Sequence, residues 1–173
     1  MGHLNIEIKA HCRNQEKIRE ILKSNDARFQ GTDHQIDTYF NVNQGRMKLR
    51  EGNIENHLIH YDRVDSEGPK KSKVILYDPE PGSTLKELLA KALGILAVVD
   101  KIREIYWIDN AKFHLDDVNG LGPFVEIEAI DKDLTIGEKK LREQCNFYMK
   151  LFGIRPEDLI SKSYSDMLLE KRK

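Results

Sequence analysis

The stretch Phe113-His114-Leu115-Asp116-Asp117-Val118-Asn119-Gly120-Leu121-Gly122-Pro123-Phe124-Val125-Glu126-Ile127-Glu128 decides how this chain folds. It reads as two strands joined by a glycine-rich turn. Side chains two apart on a strand share a face, so Glu126 and Glu128 stand on one side and Val125 and Ile127 on the other. On the first strand Lys112, His114 and Asp116 form one face. Gly120-Leu121-Gly122 is a hairpin turn rather than a phosphate loop, because no helix follows it. Two carboxylates on one strand face are costly when buried unpaired and ordinary when solvated. Their meaning depends on what other strands bring to the same side.

Other strands carry matching charge. Leu4 to Ala10 alternates, with Asn5, Glu7 and Lys9 on one side and Leu4, Ile6 and Ile8 on the other. Arg46, Lys48 and Arg50 repeat the pattern, and Lys101 with Arg103 adds to it, opposed by Ile102. In an open antiparallel sheet such faces would simply meet water. Repeated over several strands, they predict a closed sheet with a charged lumen. Ammonium and guanidinium groups beside carboxylates are what a metal-bound polyphosphate needs: cations for the phosphate oxygens, acids for a divalent ion.

The chain has 173 residues, 39% of them hydrophobic and 33% charged, with a formal net charge of −1. That length predicts a single domain over 1–173 with a sizeable core. The near-neutral balance argues against nucleic-acid or membrane-surface partners, which usually demand a basic excess. Cys12 and Cys145 are too few for a disulfide framework and lack metal-ligand spacing, which fits a reducing, cytoplasmic setting. No apolar run is long enough for a membrane span, and the start Met1-Gly2-His3-Leu4 lacks the regions of a signal peptide.

Between the charged strands, the spacing of Ile18, Ile21 and Leu22 predicts a helix from Asn14, its cap, to Asn25. Strands are predicted at Phe29–Gly31, Gln35–Asn41, around Lys48 and Arg50, at His57–Val64 and at Lys71–Tyr77. Ser83 is read as the cap of a helix to about Leu93 with a stripe of Leu85, Leu88, Leu89, Ala92 and Leu93. Strands then follow at Ala97–Val99, Ile102–Ile108, Lys112–Val118 and Phe124–Ile130. Thr135 with Glu138 reads as a capping box opening a long helix that buries Leu141, Cys145, Tyr148, Met149 and Phe152. Short helices begin at Pro156 and Ser163. His57 and His60, three apart on a strand, face opposite sides. With short neighbouring pieces joined, the count is about eight strands and a few helices, an α+β class that suits a closed antiparallel β-barrel with helices packed outside.

The motifs Asn5-x-Glu7-x-Lys9, Lys48-x-Arg50, Tyr61-x-Arg63, Gly68-Pro69-Lys70-x-Ser72 and Lys101-x-Arg103-Glu104-x-Tyr106 occur in this order. They are followed by His114-Leu115-Asp116-x-Val118-x-Gly120-Leu121-Gly122-x-Phe124-x-Glu126-x-Glu128 and Lys162-Ser163-Tyr164. This series resembles the CYTH superfamily of triphosphate tunnel enzymes over nearly the whole chain, and most closely its class IV adenylyl cyclase branch. The resemblance implies a triphosphate tunnel that takes ATP, or another triphosphate, with Mg²⁺ or Mn²⁺. It implies metal ligation by Glu7, Glu126 and Glu128. Substrate binding would fall to Lys9, Lys48, Arg50, Arg63, Lys70, Lys101, Arg103 and Lys112, with Glu7, Lys9, Arg63 and Asp116 taking part in catalysis. A homodimer is a further expectation. The sequence departs from the family signature at Asn5, where a Glu is expected. An amide oxygen carries no charge, so a second metal there would be weakly held. Thiamine or inorganic triphosphatase activity is the alternative, and a triphosphate-binding module with little turnover is a third.

Overall fold

The computed structural model describes residues 2–173. Its strands are β1 (Gly2–His11), β2 (Arg28–Phe40), β3 (Arg46–Glu51), β4 (His57–Arg63), β5 (Lys70–Tyr77), β6 (Ile95–Ile108), β7 (Ala111–Val118) and β8 (Gly122–Asp131). They close into an antiparallel barrel in the order β1-β5-β4-β3-β2-β6-β7-β8, with β8 pairing back onto β1. The helices are α1 (Gln15–Ser24), α2 (Leu85–Leu93), α3 (Glu138–Leu151) and α4 (Tyr164–Lys171).

The expected alternation settles which side is which. Ile6, Ile8, Phe113, Leu115, Val125 and Ile127 point outward and pack with Ile18 and Leu22 of α1 and with Leu141 and Cys145 of α3. Each such side chain contributes about 1.5–3 kcal/mol on leaving water, so the main apolar core lies outside the barrel wall. The charged face therefore turns inward. A second apolar cluster sits inside, where Ile160 and Tyr164 from the C-terminal segment meet Tyr61, Val99 and Phe124. Ala10 bridges to Leu159, and the Ile160 N–H donates to the Lys9 carbonyl at 2.9 Å. This segment fills the barrel end at which β4, β7 and the final turn of β1 finish.

Several local expectations are corrected. The pieces at 29–31 and 35–41 are one strand, bent by a register shift between Phe29 and Gly31. The pieces at 97–99 and 102–108 are likewise one strand. A polar residue such as Asp33, in the gap between the expected pieces, looks like a strand break, yet here it faces a polar interior. Thr135 does not cap α3: its hydroxyl donates to Asp133 at 2.7 Å, and Gly137 (φ 88°) is the N-cap. The buried Asp131 carboxylate instead takes the N–H groups of Thr135, Ile136 and Gly137 at 2.9–3.1 Å. Thr84, not Ser83, precedes α2, and the leucine stripe of that helix stays partly or fully exposed. Asn14 and Ser163 do cap their helices, accepting the N–H groups of Lys17 and Asp166.

Candidate active site

Closure brings the inward residues of the strands around one cavity of about 340 Å³. Asn5, Glu7, Lys9, Lys48, Arg50, Arg63, Lys101, Arg103, Lys112, His114, Glu126 and Glu128 all line it. The register explains this convergence. Glu7 lies opposite Glu128 and Lys9 opposite Glu126 on the β1–β8 ladder, while Lys112 and His114 face Glu128 and Glu126 across β7–β8.

The cations are held in three groups. The buried Asp37 carboxylate receives Lys48 at 2.9 Å, Arg50 at 2.8 and 2.9 Å, and Lys101 at 2.7 Å. Burial alone would raise its pKa, but Arg50, Lys101 and Lys48 outweigh that and hold it well below the usual carboxylate range. Glu55 binds Lys112 and, at 3.1 Å, Arg50. It is aimed inward because Asp33 accepts the N–H groups of Asn53, Ile54 and Glu55 at 2.5–3.0 Å. In the third group Glu126 meets Lys9 at 3.3 Å, Arg103 at 3.3 Å and His114 Nδ1 at 3.2 Å. Burial pushes the His114 pKa down to about 4, with Arg103 adding to the shift. The imidazole is therefore neutral, and its Nδ1–H donates to Glu126.

Two expected residues stand apart from the lining. Lys70 is buried on the inward face, but its ammonium donates to the Ile160 carbonyl at 2.7 Å, beneath the filled end. Asp116 is fully buried on the inward face beneath the C-terminal segment, where Arg103 grips it at 2.7 and 2.6 Å and the Tyr164 hydroxyl donates to it at 2.7 Å. Both positions follow from the C-terminal segment, whose docking no strand alternation could show. Asp37, Glu55 and Tyr39 were missed by sequence reasoning, and Tyr61 was named only within the Tyr61-x-Arg63 motif, with no role assigned. The Gln35-Asp37-Tyr39 alternation was a readable signal for Asp37; Glu55 lies in a loop and had none.

The site is poised for anions and for one cation. Arg63 is ion-paired with Glu7, yet its buried Nε and Nη2 have no hydrogen-bond partner among the described residues; Asp65 stands 3.8 Å from Nη2. Such N–H groups are costly unless an oxygen ligand arrives. Burial raises the Glu128 pKa to about 7; Lys112 opposes the shift, while Glu7, Glu126 and Glu55 reinforce it. Asn5 donates its amide N–H to Glu128 and leaves its buried Oδ1 unpartnered among the described residues. Excess negative charge beside a free amide oxygen fits a hard divalent ion. Among the described residues, no three acids or histidines already converge as a metal cage, so substrate oxygens would have to complete the coordination.

Glu128 also predicts a pH effect in chelator-treated protein. Its folded pKa is raised, so its stabilising contribution is full below about pH 4.3, the unfolded value, and is lost as pH rises through about 7. Glu128→Gln should flatten that decline and gain of order 1 kcal/mol at pH 8, read by denaturant melts. An unchanged slope between pH 4.5 and 7 would remove the assignment.

A closed barrel with cations seated on buried acids around a hollow defines a charged tunnel protein. The CYTH domain family model matches residues 3–164, and the chain belongs to that family. A relative from Methanocaldococcus jannaschii, provisionally named an adenylate cyclase, is 28% identical over 95% of this chain and 98% of its own length. A solved Pyrococcus horikoshii structure shares the fold with a TM-score of 0.75 at 23% identity, covering 94% of this chain and 98% of that one. A Hippeastrum adenylyl cyclase candidate with a dominant triphosphatase activity has a TM-score of 0.63 at 14% identity, over 98% of this chain and 95% of that one. Among the described residues, no helix is long and apolar enough to cross a membrane.

Proposed function

We propose that this chain acts on a nucleoside triphosphate, converting ATP to cyclic AMP and pyrophosphate with Mg²⁺ or Mn²⁺. The observation that carries the reading is the buried Arg63 guanidinium, with two N–H donors unpaired inside a lumen whose other buried cations are already seated. A phosphoryl group satisfies such a fork better than any uncharged ligand. The Tyr61-x-Arg63 and Lys70-x-Ser72 motifs, and the name carried by the archaeal relative, favour cyclisation.

In this reading the ribose 3′-hydroxyl attacks the α-phosphorus in line, the bond to the bridging oxygen breaks, and pyrophosphate leaves. Lys9, Lys48, Arg50, Arg63, Lys101, Arg103 and Lys112 hold the chain of phosphates and neutralise charge growing on the leaving group. Because these cations are fixed before substrate arrives, little reorganisation is needed at the moment of reaction. Glu7 and Glu128, with Asn5 Oδ1 beside them and Glu126 next along β8, would hold the metal, which supplies charge neutralisation at the phosphate oxygens. Asp116 acts as a positioning residue through Arg103 and Tyr164.

Hydrolysis of a triphosphate is the second reading. The activity for which the Hippeastrum neighbour is named favours it, whereas Asn5, whose neutral oxygen weakens any second metal, favours a triphosphate-binding module with little turnover. Incubating the protein with ATP, tripolyphosphate and thiamine triphosphate, each with Mg²⁺ or Mn²⁺, tests both. Cyclic AMP with pyrophosphate is the expected result. Orthophosphate would replace cyclisation by hydrolysis, and binding with no product would leave a triphosphate-binding module.

Asn5→Glu should raise the metal-dependent rate severalfold and lower the metal concentration at half-maximal rate. It should also lower the melting temperature of chelated protein, because a further acid then faces Glu128. A rate and metal dependence identical to wild type would show that this position does not touch the ion.

A further inference from the structure

The two ends of the tunnel are chemically unlike. At one end protein fills the bore. Lys70 donates to Ile160, Tyr164 donates to Asp116, and the Lys9 ammonium sits 3.9 Å from the Tyr164 ring centroid. The unpaired Arg63 donors belong to this end, since Arg63 closes β4 and its neighbour Asp65 is tied through Arg46 to Asp166 of α4 at 2.7 Å. The opposite end is formed where β1, β4 and β7 begin and where β6 and β8 finish. There the cavity is lined by His3, His57, Trp107, Lys112 and Ile130.

This second rim carries aromatic and imidazole rings as well as charge, since Lys132, just past β8, also lines it. The Trp107 indole is half-buried, and its Nε1–H donates to Gln30 at 2.7 Å, which fixes the ring. Lys112 lies 5.3 Å from the ring centroid, yet its charge is already matched by Glu55. His57 is steadied by Asp78 at 2.6 Å, and Ile59 and Leu76 extend the apolar lining inward. An inorganic polyphosphate can use the Lys132 ammonium but gains nothing from the indole face. A flat heterocycle does, because it stacks on a fixed indole.

We propose that the open rim seats a planar heterocycle against Trp107, so that the substrate enters terminal phosphate first and its organic half stops at the mouth. This rests on the triphosphate reading above and names the residue that selects nucleoside triphosphates over tripolyphosphate. The terminal phosphate, the most highly charged, then reaches Arg63, and the α-phosphate lies nearer the rim.

Trp107 is the only tryptophan in the chain, so its emission, excited at 295 nm, reports the rim directly. ATP should shift or quench that emission, and tripolyphosphate should leave it nearly unchanged. Calorimetry on Trp107→Ala should show ATP binding weakened about tenfold or more, as expected for loss of one base–aromatic stack, with tripolyphosphate affinity unchanged. Trp107→Phe should retain most of the ATP affinity. Equal losses for both ligands, or no loss for either, would overturn the rim assignment while leaving the triphosphate tunnel intact. Failure of the wild-type protein to bind either ligand would overturn the tunnel reading and the rim assignment with it.

Discussion

Asp37→Asn should cost about 3–5 kcal/mol of stability, the range found when one partner of a buried ion pair is removed. For a chain of this size that corresponds to a fall in melting temperature of roughly 6–20 °C. Asp37 is 1% exposed and is the shared counter-ion of Lys48, Arg50 and Lys101. An amide can accept a hydrogen bond but supplies no charge, so three cations would face one another across the lumen. The same logic predicts the rescue. Tripolyphosphate would replace the missing charge, and its stabilising shift should be larger in Asp37→Asn than in wild type. Calorimetric melts with and without tripolyphosphate measure both effects. A loss below about 1 kcal/mol would mean that the lysines escape to water and that Asp37 does not organise the lumen.

The second large effect concerns the metal. Glu7→Gln combined with Glu128→Gln should reduce metal-dependent activity at least about a hundredfold, since in the proposed reading ligation by both acids would supply several kcal/mol of charge stabilisation. The fold should survive. Glu128 is a buried acid crowded by Glu7, Glu126 and Glu55, so a neutral side chain relieves repulsion there. Arg63, losing Glu7, still has Asp65 nearby. Titration with Mn²⁺ followed by calorimetry provides a readout independent of turnover. Wild-type metal affinity in the double variant would move the ion elsewhere. Glu126→Gln is the weaker probe, because Glu126 also anchors Lys9, Arg103 and His114, so its loss would disturb cations as well as metal.

Much of the barrel was legible because strand alternation is a local property. Glu7 and Lys9, Lys48 and Arg50, Lys101 and Arg103, and Glu126 and Glu128 sit in strands whose other face is apolar, and only one orientation buries that face. Breaks were misjudged where this rule met a polar interior: Asp33, between the two expected pieces, looked like a loop residue although it lies within β2. Helix starts were misjudged where a distant carboxylate took the N–H groups first, as Asp131 does ahead of α3. The role of Glu55 was hidden because a loop residue has no alternation to betray its direction.

The amino-acid order alone determined the inward and outward faces of each strand, and with them the charged lumen and its candidate acids and bases. Only the tertiary structure decided which charges neutralise which, that Lys70 and Asp116 lie behind the C-terminal segment, and that the tunnel has one filled and one aromatic end. The physical reason is distance along the chain. A face is set by neighbours two residues apart, whereas an ion pair such as Lys101 with Asp37, or the docking of Tyr164 on Asp116, joins groups that meet only when the sheet closes.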